Sequence, residues 1–129
     1  MATFAHTFQI ETKGFTDIRD ITGEVAGAIR RSGLESGIAV VAVPGSTAGV
    51  TSIEFESGAV SDLKEALGRL APEGGAYAHD AHWGDGNGFS HVRAALLGPS
   101  LSLPFRDGEL VTGTWQQIVL VDFDNRPRQ

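Results

Sequence analysis

GIAVVAVPGSTAGVTSIEFE, residues 37–56, decides the fold class. Its first half is a continuous apolar run of strand length, which reads as a strand covered on both faces. Its second half alternates. Val50, Ser52, Glu54 and Glu56 share one face, and Thr51, Ile53 and Phe55 the other, which is the period of a strand. PGSTAG, 44–49, joins the two runs. Strands joined by connections this short favour antiparallel pairing.

Working outward, TFAHTFQIET at 3–12 also alternates, with Phe4, His6, Phe8 and Ile10 on one face, and predicts a half-buried strand. His6 on that face reads as a structural histidine. After Gly14, Thr16 or Asp17 is placed to cap a helix whose stripe is Ile18, Ile21, Val25 and Ile29. Arg30 and Arg31 sit in its last turn and Gly33 stops it. A second helix is predicted from Ser57, with Val60, Leu63, Leu67 and Leu70 buried and Pro72 as the stop. SHVRAALLG predicts a short helix ending at Gly98. SLSLPF and ELVTG flank Asp107-Gly108 as a hairpin. TWQQIVLVDFD closes the chain as a strand carrying Thr114, Trp115 and Gln116, with Ile118, Leu120 and Asp122 on one face. The count is six or seven strands and two or three helices. The expected class is α+β, a mostly antiparallel sheet or sandwich with two main helices packed on it, formed by one domain over residues 1–129.

Composition narrows the chemistry. The chain has 129 residues, 41% hydrophobic and 20% charged, with a formal net charge of -6 and no cysteine. Thiolate metal sites and disulfides are therefore excluded, and any metal must sit on His, Asp, Glu or water. The acidic balance argues against nucleic acid as a partner. No apolar run reaches the roughly 20 residues of a membrane span, and the first 15 residues show no secretion signal, so no membrane partner and a cytoplasmic location are expected.

The titratable groups gather in AYAHDAHWGDGNGFSH, residues 76–91, which holds three of the four histidines. His79, His82 and His91 can converge on a metal if this loop folds back, and three imidazoles plus water make an open catalytic zinc site. Asp80 and Asp85 can ligate or orient an imidazole. The plainer alternative is a solvated loop. Ser46, Thr47 and nearby amides can cradle an anion or form a simple turn. Arg93 is either a phosphate partner or a solvated arginine. Trp115 is a stacking face or a core residue. Glu54 is a surface carboxylate, or a general base if its face looks into a cleft.

PGSTAGVTSIEFE, YAHD, GDGNGFSHVRAALLGPSL and GTWQQIVLVDFDNRPR, in this order, resemble the YjbQ family, also called the secondary thiamine-phosphate synthase family. The resemblance extends over nearly the whole chain. It implies an α+β homotrimer with sites near subunit boundaries and a histidine-based site for a divalent metal, zinc or magnesium. It also implies weak thiamine-phosphate synthase activity, in which a thiazole phosphate displaces pyrophosphate from a pyrimidine-methyl pyrophosphate. Residue by residue, it points to His79, His91, Glu54 and Arg93 as catalytic groups. It also matches Asp80, Trp115 and Gln116, so the expected metal ligands are His79 and His91, completed by Asp80 or by His82 from the loop reading, and the expected contacts to a small phosphorylated ligand are Trp115 and Gln116, with Ser46, Thr47 and Asn87 added from the local reading. Many members carry a histidine where this chain has Gly45. Either His82, a carboxylate or water replaces it here, or the site binds an anion instead. The rival functions are a non-catalytic module for a phosphorylated ligand or metal, and a metal-dependent hydrolase.

Overall fold

The computed structural model describes residues 1–129. In chain order the elements are β1 (Asp17–Asp20), α1 (Thr22–Ser32), β2 (Gly37–Ala42), β3 (Ala48–Glu54), α2 (Ser57–Leu70), α3 (Ala78–Trp83), α4 (Gly88–Leu97), β4 (Ser100–Arg106), β5 (Glu109–Leu110) and β6 (Gln116–Asp122). They form two three-stranded sheets, ordered β1-β6-β3 and β2-β4-β5, and every pairing is antiparallel. The α+β class read from the sequence is the one observed, with four helices rather than two or three.

β6 is the hub. Ile118, Val119, Leu120 and Val121 are all buried because the strand is covered on both faces. Ile118 and Leu120 enter a cluster with Ile21, Val25, Ile29, Val50 and Phe105, enclosed by α1 and the second sheet. Val119, Val121 and Phe123 point the other way, against Ile18, Leu67 and Ala94, where α2 and α4 pack. The two-residue strand period thus feeds two cores from one strand.

Several expectations are corrected. Residues 3–12 form no strand. Phe8 and Ile10 pack on the first cluster, but the first backbone pairing is the isolated Thr12–Arg128 bridge. Alternation gave this segment a face without giving its backbone a partner strand in register. His6 is exposed, with Arg31 Nη2 3.1 Å from its Nε2. The first helix starts at Thr22, not near Ile18, because residues 17–20 pair with β6 and carry Ile18 to the second cluster. The helix start is set by Asp20, whose carboxylate accepts from the Thr22 N–H at 2.9 Å and its hydroxyl at 2.7 Å. Gly33 ends the helix in the left-handed conformation, as expected.

β2 is not covered on both faces. Ala39 and Val41 face the core, while Ile38 and Val40 are 73% and 65% exposed. Nor do β2 and β3 pair with each other. The 44–49 connection crosses between sheets, sending β2 to β4 and β3 to β6. In α2 the buried stripe stops short, since Leu70 is exposed. Its start is capped by Glu56, which accepts from Gly58 N–H at 2.6 Å and Ala59 N–H at 2.9 Å. The hairpin at Asp107-Gly108 forms as expected, both residues at positive φ. The last strand begins at Gln116, so Thr114 and Trp115 lie in the turn before it.

Candidate functional site

The loop that concentrates the histidines is a helix–turn–helix. α3 ends at Gly84, in the left-handed conformation, whose N–H returns to the Asp80 carbonyl. After three intervening residues α4 begins at Gly88. Asp80 ties the two together, since its Oδ1 accepts from the Gly88 N–H at 2.8 Å. A carboxylate suits the first turn of a helix, where unpaired N–H groups carry partial positive charge. The approach is close enough that a Cβ on residue 88 would stand 2.6 Å from Tyr77 Cβ.

This packing brings His79 and His91 together, with ring centroids 4.4 Å apart and planes tilted by 51°. His91 Nδ1 lies 3.1 Å from the Ser46 carbonyl oxygen. A carbonyl only accepts, so Nδ1 carries a proton, and in the neutral form of the ring the lone pair is then at Nε2. Histidines that bind metals are commonly oriented by such a bond from the other ring nitrogen. His79 Nδ1 is buried and makes no hydrogen bond. Its nearest carboxylate oxygens are Asp85 Oδ1 at 3.3 Å and Asp80 Oδ1 at 3.6 Å. His79, Asp80 and Asp85 each offer a ligand atom within 4.8 Å of the others. A buried nitrogen without a partner, flanked by two carboxylates, fits a cation.

The site residues read from the sequence do not all meet here. His82 is exposed on α3, outside the cluster, and Asp85 stands in it instead. Ser46 takes part through its carbonyl, and the Thr47 carbonyl accepts from Phe123 N–H at 2.9 Å. The 44–49 turn thus offers acceptors to its neighbours, opposite in polarity to an anion cradle. Gly45 adopts φ 120°, and a Cβ placed on it would meet nothing within 4 Å, so the space beside Ser46 is open. Asn87 donates from Nδ2 to Asp124 at 3.2 Å.

Arg93 is buried and bonded to Ala71 and Thr16, contacts quite separate from those of His91. Two positions apart on α4, the two side chains leave the helix about 200° apart. Glu54 pairs with Gln116 at one end of the β3–β6 ladder, whereas the Ser46 turn precedes the other end. Seven residues at about 3.3 Å each separate them by roughly 20 Å. Gln116 bonds to Ser52 Oγ and Gly113 N–H, and Trp115 is exposed.

Sequence reasoning missed Asp124. Its side chain is 1% exposed and paired with Arg128 Nε at 2.8 Å. Burial alone would raise its pKa. Hydrogen bonds from Asn87 and the Asn125 N–H, together with the Arg128 charge, outweigh burial and hold it below the ordinary aspartate value. The available signal was DFDNRPR, two acids alternating with a phenylalanine ahead of two arginines.

The description "UPF0047 protein YjbQ-like" matches residues 6–129. The chain belongs to the YjbQ-like UPF0047 family. It is 34% identical over 124 residues to a UPF0047 protein of Methanothermobacter thermautotrophicus, covering 96% of this chain and 85% of that one. Bacillus subtilis YugU is 34% identical over 120 residues, covering 92% and 88%. Among solved structures, a YbjQ-like protein of unknown function from Sulfolobus solfataricus superposes with a TM-score of 0.83 at 31% identity, covering 92% of this chain and 88% of that one. An uncharacterised YjbQ/UPF0047 protein from Clostridium acetobutylicum gives 0.81 at 32% identity, covering 94% and 95%. The YjbQ-like fold and the family resemblance read from the motifs agree with these findings. The names of these relatives assign no activity.

Proposed function

We propose that this UPF0047 protein is a small metal-dependent transferase of the thiamine-phosphate-synthase type, joining a pyrimidine pyrophosphate to a thiazole phosphate. The centre is His79, Asp80, Asp85 and His91. One observation carries the reading: two imidazoles 4.4 Å apart, one of them locked onto a backbone carbonyl so that its other nitrogen is free.

The carboxylates support a cation here. Asp80 and Asp85 beside a pyrophosphate repel it unless positive charge intervenes. His79, Asp80 and Asp85 would hold a divalent ion, zinc or magnesium. When bound, such an ion supplies charge to the leaving pyrophosphate. His91, fixed as the Nδ1–H tautomer, offers Nε2 as a further ligand or proton acceptor. Asp80 also ties the N–H of Gly88 to α3, which sets the position of the two rings.

We also propose that the protein works in the cytoplasm as a homotrimer. Support comes from β2, an edge strand with Ile38 and Val40 exposed, and from a cavity of about 740 Å³ beside it, lined mainly by apolar residues. Assembly would let Glu54, Trp115 and Gln116 of one copy approach the histidines of another. No helix is long and apolar enough to cross a membrane.

The test is metal content by elemental analysis of the purified protein, alongside pyrophosphate release from the two thiamine precursors. About one metal per chain is expected, lost in His79→Ala and Asp85→Ala. His91→Ala is expected to lower turnover about 10–100-fold. Metal retained in all three variants overturns the site. Metal lost without turnover in the parent protein identifies a binding module instead. Light scattering at the mass of a single chain refutes the trimer.

A further inference from the structure

We propose a second site, for the phosphate group of a small metabolite, in the cavity between the C-terminal part of α2 and the 14–16 bend. This cavity of about 340 Å³ is lined by Phe15, Thr16, Lys64, Gly68, Glu73 and Arg93, together with Pro72. It does not depend on the histidine reading and shares no residue with it.

Arg93 carries the inference. Its side chain is 4% exposed, yet it lacks a close counter-ion. The nearest carboxylate is Glu73, 3.8 Å away and itself 48% exposed. Nε donates to the Ala71 carbonyl at 2.8 Å, and Nη1 donates to Thr16 Oγ1 at 2.6 Å. Nη2 donates to no protein acceptor, and the other support for the charge is the Phe89 ring, 5.1 Å from the guanidinium carbon. Buried charges are ordinarily paired, because taking an ion from water without a partner is costly. A guanidinium with an unengaged donor edge on a cavity is arranged for an oxyanion, which it binds through parallel N–H groups.

The rest of the wall matches. Thr16 Oγ1 accepts from Arg93, which leaves the hydroxyl hydrogen for a ligand oxygen. Lys64 lines the same cavity without an ion-pair partner. Against the single carboxylate of Glu73, the lining carries a net positive charge within a chain whose formal net charge is -6. The bend that presents Thr16 is itself unusual. Phe15 and Thr16 have φ of 55° and 65°, a left-handed conformation that side chains rarely adopt and that is worst for a β-branched residue. Such conformations persist where surrounding structure enforces them, and they cluster at binding sites. Here the Phe15 N–H is held by the Asp124 carbonyl at 2.7 Å.

The test is titration of the full chain with inorganic phosphate, followed by amide NMR shifts, with acetate as the singly charged comparison. Saturable shifts are expected at Thr16, Lys64, Gly68, Glu73 and Arg93, with a Kd on the order of 1 mM. Lys64→Ala, a surface change compatible with folding, is expected to weaken phosphate binding about fivefold. Arg93→Lys is expected to abolish it, because the fork is lost; should that variant misfold, Lys64→Ala decides. The proposal is overturned if shifts fail to saturate, or are confined to residues 79–88. It is equally overturned if acetate binds as tightly as phosphate, or if folded Lys64→Ala binds phosphate as the parent does.

Discussion

Gly88→Ala probes the contact on which the histidine pair depends. Two effects oppose each other. Alanine is the better helix former by about 1 kcal/mol in a helix interior, and by less at the first position of α4. Most of that gain, about 0.4–1 kcal/mol, is the reduced freedom of the unfolded chain. Against this, the new methyl would sit 2.6 Å from Tyr77 Cβ, 2.9 Å from Tyr77 Cγ and 3.0 Å from Asp80 Oδ1. Tyr77 Cβ is fixed to the backbone and cannot swing away as a side-chain tip can. Relief requires α3 and α4 to part, which overpacking data put at about 1–3 kcal/mol. Parting also stretches the Asp80 bond to the Gly88 N–H, for which cap deletions suggest about 1 kcal/mol more. The losses win, leaving a net destabilisation of about 1–2 kcal/mol, or a fall in Tm of roughly 4–8 °C for a chain of this size. Gly68→Ala is the control. That glycine lies inside α2 with nothing within 4 Å of its Cβ position, so only the helix gain applies. It should raise Tm by a few degrees, about 0.5–1 kcal/mol. Thermal unfolding by circular dichroism measures both. Gly88→Ala as stable as the parent, with Gly68→Ala stabilised, would show that α3 and α4 do not meet this closely, and the imidazole contact would fall with it.

Asp124 predicts an acid limb. Its folded pKa lies below the unfolded value near 3.8, so its stabilisation is fully present above about pH 5 and is lost as pH falls through 3.8 towards the folded pKa. Asp124→Asn should be less stable at neutral pH and should show a shallower decline on acidification; urea melts at pH 7 and pH 3.5 giving equal losses for both proteins contradict this. Glu56→Ala should speed hydrogen exchange at the Gly58 and Ala59 amides while leaving the middle of α2 protected, since the carboxylate accepts from both N–H groups and its own pKa is lowered, first by the Ala59 bond. Unchanged exchange at those two amides removes the cap.

The sequence made some elements legible because their signals were local. The α2 start at Ser57, the αL stop at Gly33 and the Asp107-Gly108 turn each depend on residues within one turn of chain. The errors lie where pairing over long distances overrode local period. Ile18 sits at helical spacing from Ile21, yet hydrogen bonding to β6, about a hundred residues away, made it a strand residue. Residues 3–12 show the reverse, a strand pattern whose one backbone pairing is the isolated Thr12–Arg128 bridge. At the site, His79 with Asp80 was legible from the loop. Asp85 stood there as a candidate ligand beside His82; the choice between them was not legible, because it follows from the Gly84 reversal that ends α3 after six residues. Sequence proximity sets Arg93 beside His91, and the helical period separates them.

Both proposed sites lie against segments held by the end of β6, where much polarity is buried. The Asp124 carbonyl holds the Phe15 N–H of the left-handed bend, and its carboxylate receives Asn87, the residue before α4. Asn125 adds a bond from Nδ2 to the Asp85 carbonyl at 2.8 Å. Asp122 accepts from Thr12 Oγ1 at 2.5 Å, beside the bridge from Thr12 to Arg128. A carboxylate at the exit of a buried strand is costly unless fully bonded. Apolar residues at 122 and 124 would extend the core but could grip neither the Thr12 hydroxyl nor the Asn87 amide. The arrangement therefore fixes the 14–16 bend and the histidine-bearing turn to one rigid strand, so that Thr16 and the Asp85 segment are positioned by the same residues although they lie about seventy positions apart.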